Sequence, residues 1–426
     1  MHKKKHHTRG YQRLGIAWLV WGLATCYYFS DYMARVAPGV MHQSLQAAFG
    51  LSEAGFGLLT YSFYLPYILM QIPVGIIVDR FSLRRLLAIM SIITASGCFI
   101  FGMSQYLALA AFARMLIGFS AAFAFISSLR LATAWFPPAM LGLLAGLTQA
   151  IGMLGAAAGE EPIRFLEQVV GWRYTMMLLG LLFLVLAYFL YRFIQDHESM
   201  QSLEPKMNNG IWPALKEALS QRQIWINALY AGCLFGPTAV IGESYGPAFL
   251  QYAWGLGAHE SAFAIGLIFI GWGLGGPLLG YLSDRMGVRK PFVIFSAFAT
   301  CCLTVLMVYF PYKHLAYVYT LFFVFGLTNS GVGIAYAIST ELSNRQVMGA
   351  AIAFTNMASI FVGASLQPLV GAWIDNIAGE RSLSVSSLSM QDFQQPFSIL
   401  VACAGLALIL AFFIKETYCQ HQQRDN

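Results

Sequence analysis

Charge is scarce in this chain. Asp, Glu, Lys and Arg make up only 10% of its 426 residues, while 58% are hydrophobic. Soluble domains carry roughly a quarter charged residues, so a soluble enzyme is excluded and a bilayer protein is what the composition permits. Cysteine is also sparse. The seven present, an odd number, lie mostly inside apolar runs without Cys-x-x-Cys spacing, which suggests neither a disulfide framework nor a zinc site. His42, His259 and His314 show no metal spacing. No Gly-x-x-x-x-Gly-Lys-Ser/Thr occurs, so there is no site for ATP. No nucleophile–base pair or metal cluster stands out either, which argues against a membrane enzyme, a cofactor or a metal.

Long polar stretches are nearly absent as well. Apolar runs, each about the 20 residues that cross a bilayer core, fall at 14–37, 53–75, 86–104, 106–132, 140–165 and 172–194, then at 223–250, 260–281, 291–310, 315–338, 346–373 and 396–415. These twelve runs predict an all-α membrane protein with two six-helix halves, residues 1–194 and 223–426. The one long polar interruption, 195–222, reads as the linker between them. The basic N-terminus precedes a long apolar run with no small-residue cleavage site, which reads as an uncleaved first span. Nineteen of the 25 Lys and Arg residues collect on one side. By the positive-inside rule this places both termini in the cytoplasm. The net charge of +6 is therefore a topology signal, and nucleic acid is not an expected partner.

Between the second and third runs stands a short charged turn, Gly75-Ile-Ile-Val-Asp79-Arg80-Phe-Ser82-Leu-Arg84-Arg85. It recurs 205 residues later as Gly280-Tyr-Leu-Ser-Asp284-Arg285-Met-Gly287-Val-Arg289-Lys290. A glycine that lets helix ends approach, an Asp for a helix N-terminus and Arg donors for helix C-terminal carbonyls would form a gating latch. A solvated basic loop is the plainer alternative for a single copy; two copies half a chain apart favour a duplicated device. The pair resembles the signature loop of the major facilitator superfamily, roughly Gly-x-x-x-Asp-Arg-x-Gly-x-Arg-Arg/Lys. The second copy fits throughout; the first has Ser82 in place of a glycine. The resemblance implies twelve helices, alternating access, and a site between the halves.

Ionisable groups inside membrane spans are costly and are therefore the first functional candidates. Asp31 and Arg35, four residues apart, share one helical face with Tyr28 and Tyr32 beside them. Arg114, near the start of the fourth run, falls at a depth similar to Asp31 at about 1.5 Å per residue. That predicts an Asp31–Arg114 ion pair, with Arg35 either a free cation near the outer mouth or a residue snorkelling to the interface. Glu243 lies late in the seventh run and Glu160-Glu161 late in the fifth. Only one of the adjacent pair can face inward, unless both cap the outer end. A buried carboxylate that accepts a proton suits a proton-coupled carrier, which makes Glu243, Asp31 and Glu161 the coupling candidates. The halves also share Thr148-Gln149 and Thr355-Asn356, 207 residues apart, where the threonines read as interhelical glue and Gln149 and Asn356 as solute contacts. Glu341 reads as a loop-pairing residue.

The run Tyr27-Tyr-Phe-Ser-Asp31-Tyr-Met-Ala-Arg35-Val-Ala-Pro38-Gly-Val-Met41, with Gln71-Ile-Pro73-Val-Gly75, is also similar to the phagosomal amino-acid transporters of intracellular gammaproteobacteria. That likeness implies uptake of an amino acid across a bacterial inner membrane. The expected partners are a small zwitterionic solute, which Arg35 or Arg114 beside Asp31 and Glu243, with Tyr28 and Tyr32, would bind, together with protons and the lipid bilayer, for a chain acting as a monomer. The alternatives are an organic-anion or siderophore carrier, or a sensor of the same fold that binds solute without moving it. A drug exporter fits less well, since Gly152-Met-Leu-Gly155-Ala in the fifth run has no Gly-Pro.

Overall fold

The computed structural model describes residues 2–137, 140–195, 211–344, 347–381 and 389–420. Most of the expected linker, 196–210, lies outside them, as do Arg345 and Arg424 of the basic side. Among the described residues there is no strand. That is the outcome expected where no water is at hand, because a helix satisfies its own backbone. The crossings are α1 (His2–Val40), α2 (Glu53–Met70 continued by Pro73–Arg80), α3 (Leu83–Met103), α4 (Leu107–Ala121 continued by Ala124–Trp135), α5 (Leu141–Ala158) and α6 (Glu161–Phe193). The second series is α7 (Arg222–Pro237, Thr238–Tyr245 and Gly246–Tyr252), α8 (Ala258–Met286), α9 (Lys290–Tyr309), α10 (Leu315–Asn329 continued by Val332–Glu341), α11 (Met348–Arg381) and α12 (Met390–Phe413).

Nine described stretches are long and apolar enough to cross a membrane, and α2, bent by 63° at Pro73, makes a tenth. One of the nine, Leu141–Phe193, has 53 residues, about 80 Å at 1.5 Å per residue, and so holds two crossings, α5 and α6. The remaining crossing is α1, whose apolarity is diluted by Tyr27, Tyr28, Asp31 and Tyr32. Twelve crossings result. Local chemistry ends the helices where expected: Ser52 caps α2 by accepting from the Gly55 N–H (3.2 Å), and Gly287 (φ 67°) ends α8 in the left-handed region.

Before residue 194, α1 packs on α5, α2 on α4, and α3 on α4 and α6; after 222, α7 packs on α11 and α12, α8 on α10, and α9 on α10 and α12. Two broad seams join the groups, α2 with α11 and α5 with α8, while α1 meets α7. Lipid supplies no hydrophobic drive between helices, so close approach through small residues carries the packing. A Cβ on Gly118 of α4 would land 1.8 Å from the Phe63 carbonyl oxygen of α2, and one on Gly155 of α5 would land 2.1 Å from that of Phe29 in α1.

Gly118→Ala should therefore force α4 off α2 and cost about 1–3 kcal/mol. Gly142→Ala, with nothing within 4 Å of the new methyl, should be neutral. Thermal unfolding of the detergent-purified variants compares the two; equal midpoints would show that the α2–α4 contact is not limiting.

Candidate functional site

A cavity of about 1190 Å³ runs between the two helix groups. Its mouth lies at the end that carries the charged turns, where Asp79, Arg80, Asp284 and Glu217 line it. Its apex, near mid-height, is lined by Tyr28, Tyr32, Arg35, Tyr67 and Glu243.

Two broken helices put charge at that apex. In α1, Pro38 has no N–H, so the Ala34 carbonyl lacks its usual donor. Arg114 of α4 supplies a donor in its place: its Nη1 donates to the Ala34 carbonyl (2.9 Å), and its Nη2 donates to that of Arg35 (3.2 Å). The expected Asp31–Arg114 ion pair is thus not formed. Arg114 is bound to backbone, sits over the Phe63 ring (4.8 Å) and does not line the cavity. Asp31 pairs instead with Arg35, 3.8 Å away on the same helix face. Nor is Arg35 a free or snorkelling cation at the outer mouth. It is 3% exposed and held among the rings of Tyr32 (4.3 Å), Tyr67 (4.9 Å) and Phe63 (5.2 Å). Asp31 lies behind it, outside the cavity wall.

In α7 the break is a π-helical segment, Thr238–Tyr245, buried along its length. Wide turns of this kind disturb the backbone ladder and recur at functional sites. Here Asn329 of α10 donates to the Leu234 carbonyl (2.7 Å) and accepts from Thr238 (2.8 Å), while Gln367 of α11 donates to the Ala239 carbonyl (3.0 Å). The segment carries Glu243 to the cavity, where the Tyr64 hydroxyl of α2 donates to it across the groups.

Amides and phenols complete the wall. Tyr28 donates to Gln149 (3.3 Å), and Tyr336 to Asn356 (2.9 Å), whose amide N–H reaches Gln71 of α2 (2.6 Å). Thr148 and Thr355 are instead engaged between helices, with the Trp21 indole (3.2 Å) and with Ser339 (2.7 Å). Tyr64, Tyr67, Gln71 and Tyr336 escaped sequence reasoning, because uncharged residues in an apolar span look like packing. The offset pair Gln149 and Asn356 was the sole hint of an amide wall.

At the far end the groups are shut against each other. The Asp375 carboxylate of α11 accepts from the free N–H groups of Glu53 (2.9 Å) and Ala54 (2.7 Å) at the start of α2. Tyr245 donates to the Glu53 carbonyl (2.8 Å), and the Glu53 side chain meets His42 (2.8 Å). At the matching seam, Glu161 pairs with His259 in the first turn of α8 (2.6 Å). Glu161 is thus partly exposed at that seam and does not line the cavity; its neighbour Glu160 is the buried one.

At the mouth end the two charged turns brace helices within each group. Asp79 pairs with Arg130 of α4 (2.9 Å), and Arg84 donates to the Tyr191 carbonyl ending α6 (2.5 Å). Ser82 caps α3 at a negative φ (−56°), so no glycine is required there. In the second copy, Arg289 joins Asp284 (2.6 Å) to Glu341 (2.7 Å), and Lys290 donates to the Phe412 carbonyl of α12 (2.7 Å). Gly75 and Gly280 line the cavity beside these turns; Arg80 stands at the mouth, and Arg285 lies in the last turn of α8. Past α12, Glu416 accepts from the N–H groups of Arg289 and Lys290, both at 2.8 Å. Burial alone raises its carboxyl, but these N–H groups with those of Tyr418 and Thr417 outweigh it and hold the group below its ordinary value.

The chain matches the sequence profile of the Major Facilitator Superfamily over residues 20–368 and again over 247–418. It is 25% identical over 290 residues to a probable sulfoacetate transporter, SauU, of Cupriavidus necator, covering 65% of this chain and 67% of that one. It is 26% identical over 382 residues to the membrane sensor protein UhpC of Salmonella typhimurium, covering 84% of each. A solved structure of a bacterial homologue of the human lysosomal transporter Spinster, inward-facing and unoccupied, superposes with a TM-score of 0.73 at 17% identity over 94% of this chain and 97% of that one.

Asp375→Asn weakens a charged helix cap, worth about 0.5–2 kcal/mol, and should favour opening at the far end. Backbone hydrogen exchange at residues 53–60 should rise several-fold; unchanged exchange would deny Asp375 a gating role. For Glu416 the depressed carboxyl stabilises tail docking fully above the ordinary carboxylate value of about 4.3. That stabilisation is lost only as pH falls through the lower folded value. Hydrogen exchange of the C-terminal peptide should therefore stay slow from about pH 8 to pH 5 in the wild type and be fast throughout in Glu416→Gln.

Proposed function

The chain belongs to the major facilitator superfamily, and we propose that it is a proton-coupled carrier of a small zwitterionic solute such as an amino acid. The observation that carries this is the apex itself, where Arg35 and Glu243 line one cavity and Asp31 stands behind Arg35. Buried charge is tolerated only when balanced. Arg35 with Asp31 is neutral, and with Glu243 protonated the whole apex is neutral. A zwitterion keeps it so: its carboxylate meets the Arg35 fork, and its ammonium meets the carbonyl, amide and phenol oxygens opposite. A monoanion leaves an uncompensated charge unless a second proton enters at Asp31. Gln149, Asn356, Tyr28 and Tyr32 would set orientation through their hydrogen bonds, while Arg114 serves by holding α1 in shape. In this reading the basic end faces the cytoplasm of a bacterium, both termini are cytoplasmic, and the structure is the inward-open state of a monomer in the inner membrane.

The charge distribution also supports division into halves at residues 1–194 and 223–426, rocking about the apex, with the charged turns holding the mouth end shut when the far end opens. Two other readings have an observation behind each. An organic-anion carrier is favoured by the sulfoacetate transporter among the relatives, and a non-transporting sensor by the membrane sensor.

Uptake of labelled amino acids, monocarboxylates and sulfonates into proteoliposomes under an imposed pH gradient separates the three. Arg35→Gln should cost about 2–5 kcal/mol of solute affinity, since the solute carboxylate is left buried without its charged partner. Arg35→Lys should recover little, because a planar fork gives way to a point charge. Glu243→Gln should retain exchange of labelled solute and lose uphill accumulation. Accumulation of an organic anion but of no amino acid would replace the zwitterion reading. Ligand-induced stabilisation without flux would establish the sensor.

A further inference from the structure

The seam where α5 and α6 meet α8 holds a group used by neither the cavity nor the charged turns. Glu160 lies between α5 and α6 at the far end and is 1% exposed. Neither of its carboxyl oxygens has a hydrogen-bond partner. Its surroundings explain why. The turn out of α5 closes at Gly159, against Met33 and Val36 of α1, and from the other helix group Gly266 of α8 comes so near that a Cβ there would sit 3.7 Å from the Glu160 Cβ. None of these offers a charge or a side-chain donor. The charged groups that face it are themselves carboxyls: Glu161, already engaged by His259 of α8, and Glu243 of α7.

An ionised carboxylate here would have only the N-terminal dipole of α6 to offset it, with neither the hydrogen bonds nor the counter-charge that buried charge requires. The neutral acid avoids that cost, so the closed seam and the proton go together. The seam is one of the two that join the groups, so opening of the far end would part it, bring water to Glu160 and make the anion tolerable. We propose that Glu160 is a proton-binding site of the far side, which takes one proton from that solution before the groups close and returns it to the same solution when they reopen. The proton goes no further, so this site is distinct from any proton that accompanies solute through Glu243. One proton bound on closing makes the closed state about tenfold more favoured for each unit by which pH falls, over the range where the opened carboxyl is ionised and the closed one protonated.

The test needs no solute, so its outcome is independent of the solute reading. Backbone hydrogen exchange of the full chain in lipid nanodiscs, corrected for intrinsic pH dependence, reads far-end opening at residues 53–60 and 258–266. Wild-type protection should fall with rising pH, by up to about tenfold per unit. Glu160→Gln cannot ionise and should stay protected at every pH, while Glu260→Gln, in the first turn of α8 and outside the cavity lining, should keep the wild-type profile. A wild-type profile in Glu160→Gln, or its loss in Glu260→Gln, overturns the proposal. Should Glu160→Gln fail to fold, Glu160→Ala must lose the pH response and Glu160→Asp must keep it; the reverse pattern overturns the proposal equally.

Discussion

In a bilayer a backbone carbonyl deprived of its helical donor has no water to turn to, and the centre of this protein is built on repairing two such losses. Pro38 interrupts α1 and Arg114 bridges the gap; the π-helical segment interrupts α7 and Asn329 and Gln367 bridge it. Each repair comes from a neighbouring helix of the same group, α4 for α1, and α10 and α11 for α7. Once mended, the two breaks hold Arg35 and Glu243 toward a shared space. An arginine that reads as a binding residue is thus spent on architecture, and the residue it steadies faces the cavity.

The two ends of the molecule use opposite ends of the helix dipole. At the far end, Asp375 meets the N-terminus of α2 and crosses between the groups. At the mouth, Arg84 and Lys290 meet the C-terminal carbonyls of α6 and α12 and stay within their groups. Bonds that cross hold the far end shut, whereas bonds that stay within a group leave the mouth free to gape. The seams α2–α11 and α5–α8 carry both behaviours, since they are tight at one end and parted by the cavity at the other. In the carrier reading, rocking of one group on the other would break the far-end bonds, which lie around Glu53 and Glu161.

The amino-acid sequence alone was enough for the class, the twelve crossings and the paired turns, because these rest on period, length and charge placement along the chain. Scarce charge marked the bilayer, and the few intramembrane ions marked the neighbourhood of the site; Arg35 and Glu243 could be named from position. What partners those ions took could not be read, since depth along a helix says nothing of rotation about it. Asp31 and Arg114 share a depth, yet Pro38 leaves the Ala34 carbonyl bare toward α4, and Arg114 answers it instead. The choice between Glu160 and Glu161 likewise waited on the turn at Gly159, which buries one against Gly266 and delivers the other to His259. Tyr64, Tyr67 and Gln71 became visible only when α2 came to lie against α7 and α11, because an uncharged side chain gains its role from what the fold sets opposite it.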